Sequence, residues 1–166
     1  YFPVVDEKFH FAIGIQIAPD LSIVWVNTEA YSSVYLRASS NTLTFDQLSQ
    51  MTILKSTGGR DFGDKKGMNG KWKESAIFFE PNPEPDEFEH KLDKLLDYLE
   101  KDKEGIAQLV EKAEGYIQVA IDFHNGNTML GGPHLNTSCI KRMAALNLEI
   151  DFDLYANGNF YKEEPF

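Results

Sequence analysis

A period-two alternation of apolar and polar side chains recurs along the chain, and it constrains the fold more than any other feature. In FHFAIGIQI, Phe9 and every second residue through Ile17 are apolar, with smaller or polar neighbours between them. Successive side chains of a strand point to opposite faces of a sheet, so this pattern predicts a strand. APD and a second β-rich run, LSIVWVN, follow. The sequence therefore predicts a β-hairpin over residues 9–27.

Further strands are predicted at SSVYLRAS, KWKESAIFFEP, GYIQVAIDFHNG and EIDFDLYANGN. Helices are predicted between them: a short one at LTFDQLSQM, where Thr44 and Gln47 have capping-box spacing, and a longer region from Phe88, with Asp86 as its N-cap and a break near Gly105. A last helix is predicted in NTSCIKRMAALNL. This order predicts an α+β fold: a single domain over residues 1–166 with helices covering one face of a mostly antiparallel sheet.

The composition limits the kinds of macromolecule that this chain is expected to bind. The 166 residues carry a formal net charge of -10, and 42% are hydrophobic, which is enough apolar surface for a folded core. So much negative charge repels a phosphate backbone, and we expect no nucleic-acid binding. The basic residues that do cluster are Lys65, Lys66, Lys71 and Lys73. A basic protein partner fits this balance of charge better.

The cysteine count and the hydropathy of the sequence indicate the cellular compartment. Cys139 is the only cysteine, so an intrachain disulfide is impossible and a reducing compartment is the simpler interpretation. The sequence has neither an apolar run of about 18 residues nor a signal-peptide pattern. We therefore expect a cytoplasmic protein that does not bind membranes.

The stretch STGGRDFGDKKGMNGKW raises the question of a phosphate-binding loop. Gly58 and Gly63 have a loosely suitable spacing, but Asp64 stands where such a loop needs lysine, and a strand follows instead of a helix. We interpret it as a long flexible connection. The chain also lacks a Gly-x-Ser-x-Gly elbow and paired zinc-ligand spacing, so the sequence favours a non-enzymatic protein without a cofactor.

One set of polar residues is a candidate binding site. If the strand assignments hold, six side chains project from the sheet face opposite the aliphatic core: Tyr35, Arg37, Asp122, His124, Asp151 and Asp153. They suit a binding face, or a carboxylate and histidine site for a cation or for acid/base chemistry. A merely solvated face would show the same alternation.

Several stretches resemble a bacterial family, the domain of unknown function number 4279. They are SVYLRASSNTLTFDQLSQM, the Gly63-Asp64 pair, WKES at Trp72 to Ser75, and HLNTSCIKRMAALNLEIDFDLY. The similarity covers about residues 31–158. It implies a small bacterial protein with a strand, a short helix, a Gly-Asp loop, a tryptophan-bearing strand and a terminal helix and strand. It implies no activity, and the hairpin departs from the family pattern.

Three hypotheses for the function remain open. The first is a protein-binding module, such as an immunity protein that neutralises a basic toxin domain, because acidic surfaces accelerate association with basic partners. The second is a ligand- or metal-binding domain, or a small enzyme, that uses Asp122, His124, Asp151 and Asp153. The third is a structural subunit in which the hairpin aromatics Phe9, Phe11 and Trp25 bury against another copy, so that the chain would be a homodimer and not a monomer.

Overall fold

A mixed sheet backed by helices forms the body of the protein. The computed structural model of the chain describes residues 1–68, 70–124 and 132–158. The strands are β1 Phe2–Pro3, β2 Phe9–Gln16, β3 Ser22–Ser40, β4 Gly58–Arg60, β5 Lys65–Lys66, β6 Gly70–Lys71, β7 Ser75–Phe79, β8 Glu114–His124 and β9 Glu149–Asn157. The helices are α1 Phe45–Ser49, α2 Phe88–Leu99, α3 Lys103–Lys112 and α4 Thr137–Ala145. The predicted α+β class is confirmed.

Strand β3 organises the sheet. At Leu36 it pairs with β7 through Phe79 and with β8 through Ile117, so it lies between these two strands. β4 extends the sheet beyond β7, and β9 extends it beyond β8. All pairings in this sheet are antiparallel except that of β8 with β9, whose connection contains α4. The sheet is therefore mostly antiparallel, as predicted.

The helices cover one face of this sheet because each buries an apolar stripe against it. Along α2 the buried residues are Phe88, Leu92, Leu95, Leu96 and Leu99, which recur at helical spacing. They pack in one core cluster with alternate residues of β3 and β8. Full burial of each leucine contributes about 1.5–3 kcal/mol, which makes this layer the main source of stability.

Local sequence determines where the first helix begins. The Gln47 amide donates to Thr44 Oγ1 at 3.2 Å, and the Thr44 amide donates to Gln47 Oε1 at 2.9 Å. These two bonds form the predicted capping box and satisfy two amides that a helix start leaves free. The capping box is confirmed.

The hairpin prediction was too short. The two runs LSIVWVN and SSVYLRAS form one continuous strand, the 19-residue β3. Its first half pairs with β2, and its second half enters the main sheet. We call the paired segments of β2 and β3 from Phe9 to Ala30 the arm. No glycine or proline separates the two runs, so the strand continues.

The prediction of a flexible glycine-rich connection was wrong. Gly58–Arg60 forms a strand that pairs with β7, and Lys65–Lys66 pairs with Gly70–Lys71 in a separate two-stranded sheet. A Cβ atom at Gly59 would overlap the Phe45 ring, so this glycine is required by close packing against α1. Its described residues therefore form an edge strand of the main sheet and a separate two-stranded sheet.

The start of α2 also differs from the prediction. Glu87, not Asp86, occupies the N-cap, and its side chain makes no capping bond. Asp86 accepts hydrogen bonds from Lys94 Nζ at 2.7 Å and Asn82 Nδ2 at 2.9 Å. Lys91 lies among the buried residues of α2, is only 2% exposed, and has its pKa lowered by burial. Its ammonium group donates to the Asn82 carbonyl at 3.2 Å. The predicted break near Gly105 is a turn of 3-10 helix at Glu100–Asp102.

No helix in the described ranges has both the length and the apolar character that crossing a bilayer requires.

Truncation of a buried leucine should test the packing of the helix layer. We expect Leu92→Ala to lower the free energy of unfolding by about 2–5 kcal/mol, because it removes buried methyl groups and leaves a cavity. The matched variant Ile53→Ala, at a side chain that is largely exposed and outside the arm, should change it by less than about 0.5 kcal/mol. Urea denaturation followed by circular dichroism measures both. Equal effects would contradict the assigned burial.

Candidate functional site: the open face of the sheet

One face of the sheet carries no helix layer, and we call it the open face. Pairing between strands aligns its side chains in rows, since directly paired residues point to the same side. The rows are Tyr155, Asp122 and Tyr31; Asp153, Ala120 and Ser33; Asp151, Gln118 and Tyr35; and Glu149, Tyr116, Arg37 and Phe78. The open face therefore combines tyrosines with aspartates.

The structure places five of the six candidate residues on this face. Tyr35 and Arg37 come from β3, and Asp122 from β8. Asp151 and Asp153 come from β9. These residues share one side because they occupy matching positions in the alternation of their strands.

His124 has different surroundings from the other five. Its side chain is only 9% exposed, and its Nε2 atom lies 3.4 Å from Glu7 Oε2. Its ring also packs edge-on against Phe9 at the base of the arm, 5.3 Å between centroids. His124 thus packs under the arm and is separated from the exposed aspartates.

An ion network occupies one end of the open face. Arg37 donates to the Tyr116 hydroxyl at 2.6 Å and pairs with Glu74, which also accepts from Arg60 Nη2 at 2.8 Å. The Arg60 guanidinium stacks 3.6 Å from the centre of the Trp72 ring. Burial alone would raise the pKa of Glu74, but the two guanidinium groups together hold it below its usual range. Glu74 therefore pairs with both cations at this end and offsets one of their two positive charges.

The other end of the open face is acidic. Asp151 and Asp153 are exposed, and no described cation lies within ion-pair distance of either. Asp153 raises the pKa of its neighbour Tyr155, because a nearby carboxylate disfavours a phenolate. Unlike the network at Arg37, this end leaves its negative charge to solvent.

A shallow concavity of about 500 Å³ adjoins the acidic end. Its lining contains Asp122, Tyr155 and Asn157 from the sheet, together with Asp6 and Lys8 beside the arm. The Asn157 amide donates to the Asp122 carboxylate. Within residues 1–68, 70–124 and 132–158, no three or more His, Cys, Asp or Glu side chains are grouped as a metal ion would require.

Sequence reasoning identified only part of this surface. Tyr116 and Tyr155 follow the same alternation as the predicted aspartates, so the signal for them was present. Glu74 lies in the predicted strand KWKESAIFFEP and Arg60 lies outside the predicted strands, and nothing in their spacing indicates that they meet Arg37. Cys139 is buried at 2% exposure, and burial and Asp93 raise the pKa of its thiol, which fits a core residue.

Comparison with known proteins gives one match. The model of a family described as a domain of unknown function, DUF4279, matches residues 28–157, which is most of the chain. The chain belongs to the DUF4279 family. The predicted resemblance is confirmed, and the DUF4279 match includes every strand of the open face but begins only at the base of the arm. No curated protein and no solved structure matches the chain.

Replacement of Glu74 should expose the contribution of the ion network. We expect Glu74→Gln to lower the free energy of unfolding by roughly 1–3 kcal/mol at neutral pH, because two partly buried guanidinium groups lose their carboxylate. The pKa of Glu74 is depressed in the folded state, so its stabilisation is present above the unfolded value of 4.5 and is lost as the pH falls through the folded value.

Urea denaturation of both proteins at a series of pH values checks this. The difference between wild type and variant should shrink as the pH falls from about 5 towards 3. A difference that stays constant over this range would show that the glutamate charge contributes nothing.

Proposed function

We propose that this DUF4279 domain is a non-enzymatic protein-binding module whose open face takes a basic segment of a partner protein. An immunity protein that neutralises a basic toxin domain would work in this way. The observation that supports the proposal best is the row structure of the open face, which sets Asp122, Asp151 and Asp153 beside Tyr35 and Tyr155.

The chemistry of these residues fits such a partner. Tyrosine supplies large contact area at low entropic cost and is enriched among the residues that dominate binding energy at protein interfaces. Exposed aspartates attract lysine and arginine, and their long-range field accelerates encounter. Because Arg37 and Arg60 are paired with Glu74 at the other end of the face, only part of their charge opposes this attraction.

The dimensions of the open face also suit a protein partner. The 11 residues of β8 span roughly 36 Å at about 3.3 Å per residue. Three neighbouring strands with their side chains are about 15 Å wide, which gives a surface of roughly 500 Å². With the loops at its margin, this approaches the roughly 800 Å² that each partner buries in a standard interface.

Two observations favour binding over catalysis. His124, a natural general base, packs against Glu7 and Phe9, and the thiol of Cys139 is buried with a raised pKa. An activated nucleophile needs a partly exposed site and a base within hydrogen-bond reach. Asp151, Asp153 and Tyr155 of the open face are instead exposed to solvent.

The concavity beside Asp122 favours a second candidate function, the binding of a small polar ligand. Lys8 and Asp122 place opposite charges on its lining, and Tyr155 offers a hydroxyl. Such a ligand would depend on Asp122 and Lys8 and would be insensitive to Asp151, which lies outside the lining. This dependence separates the two candidates.

Affinity capture with matched charge variants tests the proposal. The tagged chain is used as bait at low salt in a lysate of its native host. We expect a basic protein to be retained in stoichiometric amount and released by salt, since exposed charge pairs are screened. Asp151→Asn with Asp153→Asn should weaken its binding about tenfold, equivalent to about 1.4 kcal/mol.

The control removes the same charge elsewhere. Glu104→Gln with Glu111→Gln neutralises two exposed carboxylates on α3, on the helix side of the sheet. This variant should retain the partner at wild-type affinity. An empty column, or equal loss in both double variants, would reject the open face as the binding surface.

A further inference from the structure

The arm exposes many apolar side chains to solvent, whereas the main sheet buries its apolar side chains against the helices. Eight of its larger apolar side chains, counting those of its connecting turn, are exposed: Phe11, Ile15, Ile17, Leu21, Ile23, Val24, Trp25 and Val26. Residues up to Glu29 contribute nothing to the core cluster of the main sheet. Folding of the body therefore leaves the arm uncovered.

Charge separates the arm from the rest of the molecule. Residues 9–28 contain one charged side chain, Asp20, whereas 25% of the whole chain is charged. A basic partner gains little from such a surface, because its carboxylates are limited to Asp20 in the turn and Glu29 at the base of the arm. A second copy of a chain with net charge -10 meets the least repulsion where charge is absent.

Register shows which face of the arm is apolar. On one side, Phe11 pairs with Thr28, and Ile13 pairs with Val26. The opposite side carries His10 paired with Glu29 and Ala12 paired with Asn27, and Trp25 lies over Gly14. The side with Phe11, Ile13 and Val26 is thus continuous and apolar, and we call it the arm's apolar face.

The arm's edges are also open. β1 pairs with β2 only at His10 and Phe11. In the described part of the chain, β3 from Ser22 to Glu29 has β2 as its one neighbour. Unpaired strand edges combine readily with another strand, and a two-stranded ribbon alone is marginally stable in water. Edge pairing alone would leave the apolar face exposed, so a stable contact must cover that face.

We propose that the arm is a dimerisation element and that its apolar face packs against the same face of a second copy of this chain. A twofold arrangement is self-complementary and closes after two subunits. Six of the eight exposed side chains lie on this face or in the turn, since Trp25 is on the opposite side and the register does not place Val24. At roughly 100 Å² each, the scale of a half-exposed aromatic ring, they present about 600 Å². This is the lower end of the area that each partner buries in a specific interface.

Light scattering coupled to size-exclusion chromatography tests this on the full chain. We expect the wild type to run at twice the mass of one chain, with the dimer fraction rising with concentration. Val26→Lys should shift it to monomer, because a twofold axis brings both new charges into one apolar contact. Loss of more than tenfold in dimer affinity is expected.

Ile53→Lys provides the matched control. Ile53 is a strongly exposed aliphatic residue after α1, far from the arm in sequence. This variant should dimerise as the wild type does. Circular dichroism and thermal melting of all three proteins confirm that the main sheet is intact, so that monomer formation by Val26→Lys is not a folding defect.

Three results would overturn the proposal. The first is a wild-type monomer at every concentration tested. The second is a Val26→Lys dimer of undiminished affinity. The third is a polydisperse wild type, since open-ended association indicates sticky strand edges and not a closed pair.

Discussion

The alternation of side chains along the second half of β3 is the constraint on which the rest of the structure depends. Leu36 points into the helix layer, and its neighbours Tyr35 and Arg37 point to the open face. Pairing on both edges fixes this orientation across the sheet. A slip of one residue would place Arg37 in the core and Leu36 in water, so the buried core and the residues of the open face are set by one register.

Sequence alone predicted the parts of the molecule that local rules govern. Helix α2 has its apolar stripe, and Asp151 and Asp153 follow strand alternation. Sequence alone did not predict contacts between distant segments, such as the contact of Glu74 with Arg37. His124 obeys the same alternation as Asp122, yet Glu7 and Phe9 cover it, and no period in the sequence describes that approach. Strand β4 was not predicted, because Gly58 and Gly59 have low β-propensity. In the structure, pairing with β7 outweighs that low propensity.

The two proposed surfaces follow opposite physical logic. The open face keeps exposed carboxylates such as Asp153 in water, where they cost little and attract from a distance. The arm has almost no charge, so Val26 and its neighbours lose no hydration of ions when they are covered. A charged surface suits a partner of the opposite sign, and an uncharged one suits a partner with the same net charge.

The central position of β3 has a consequence for how the chain folds. Arg37 and its paired residue Tyr116 are 79 residues apart in sequence. At a synthesis rate of roughly 5–20 residues per second, β8 is synthesised several seconds after β3. Contacts of such long range also slow folding after release. Strand β3 is thus synthesised early but pairs with β8 late. Chaperones have their greatest opportunity to bind β3 during that interval.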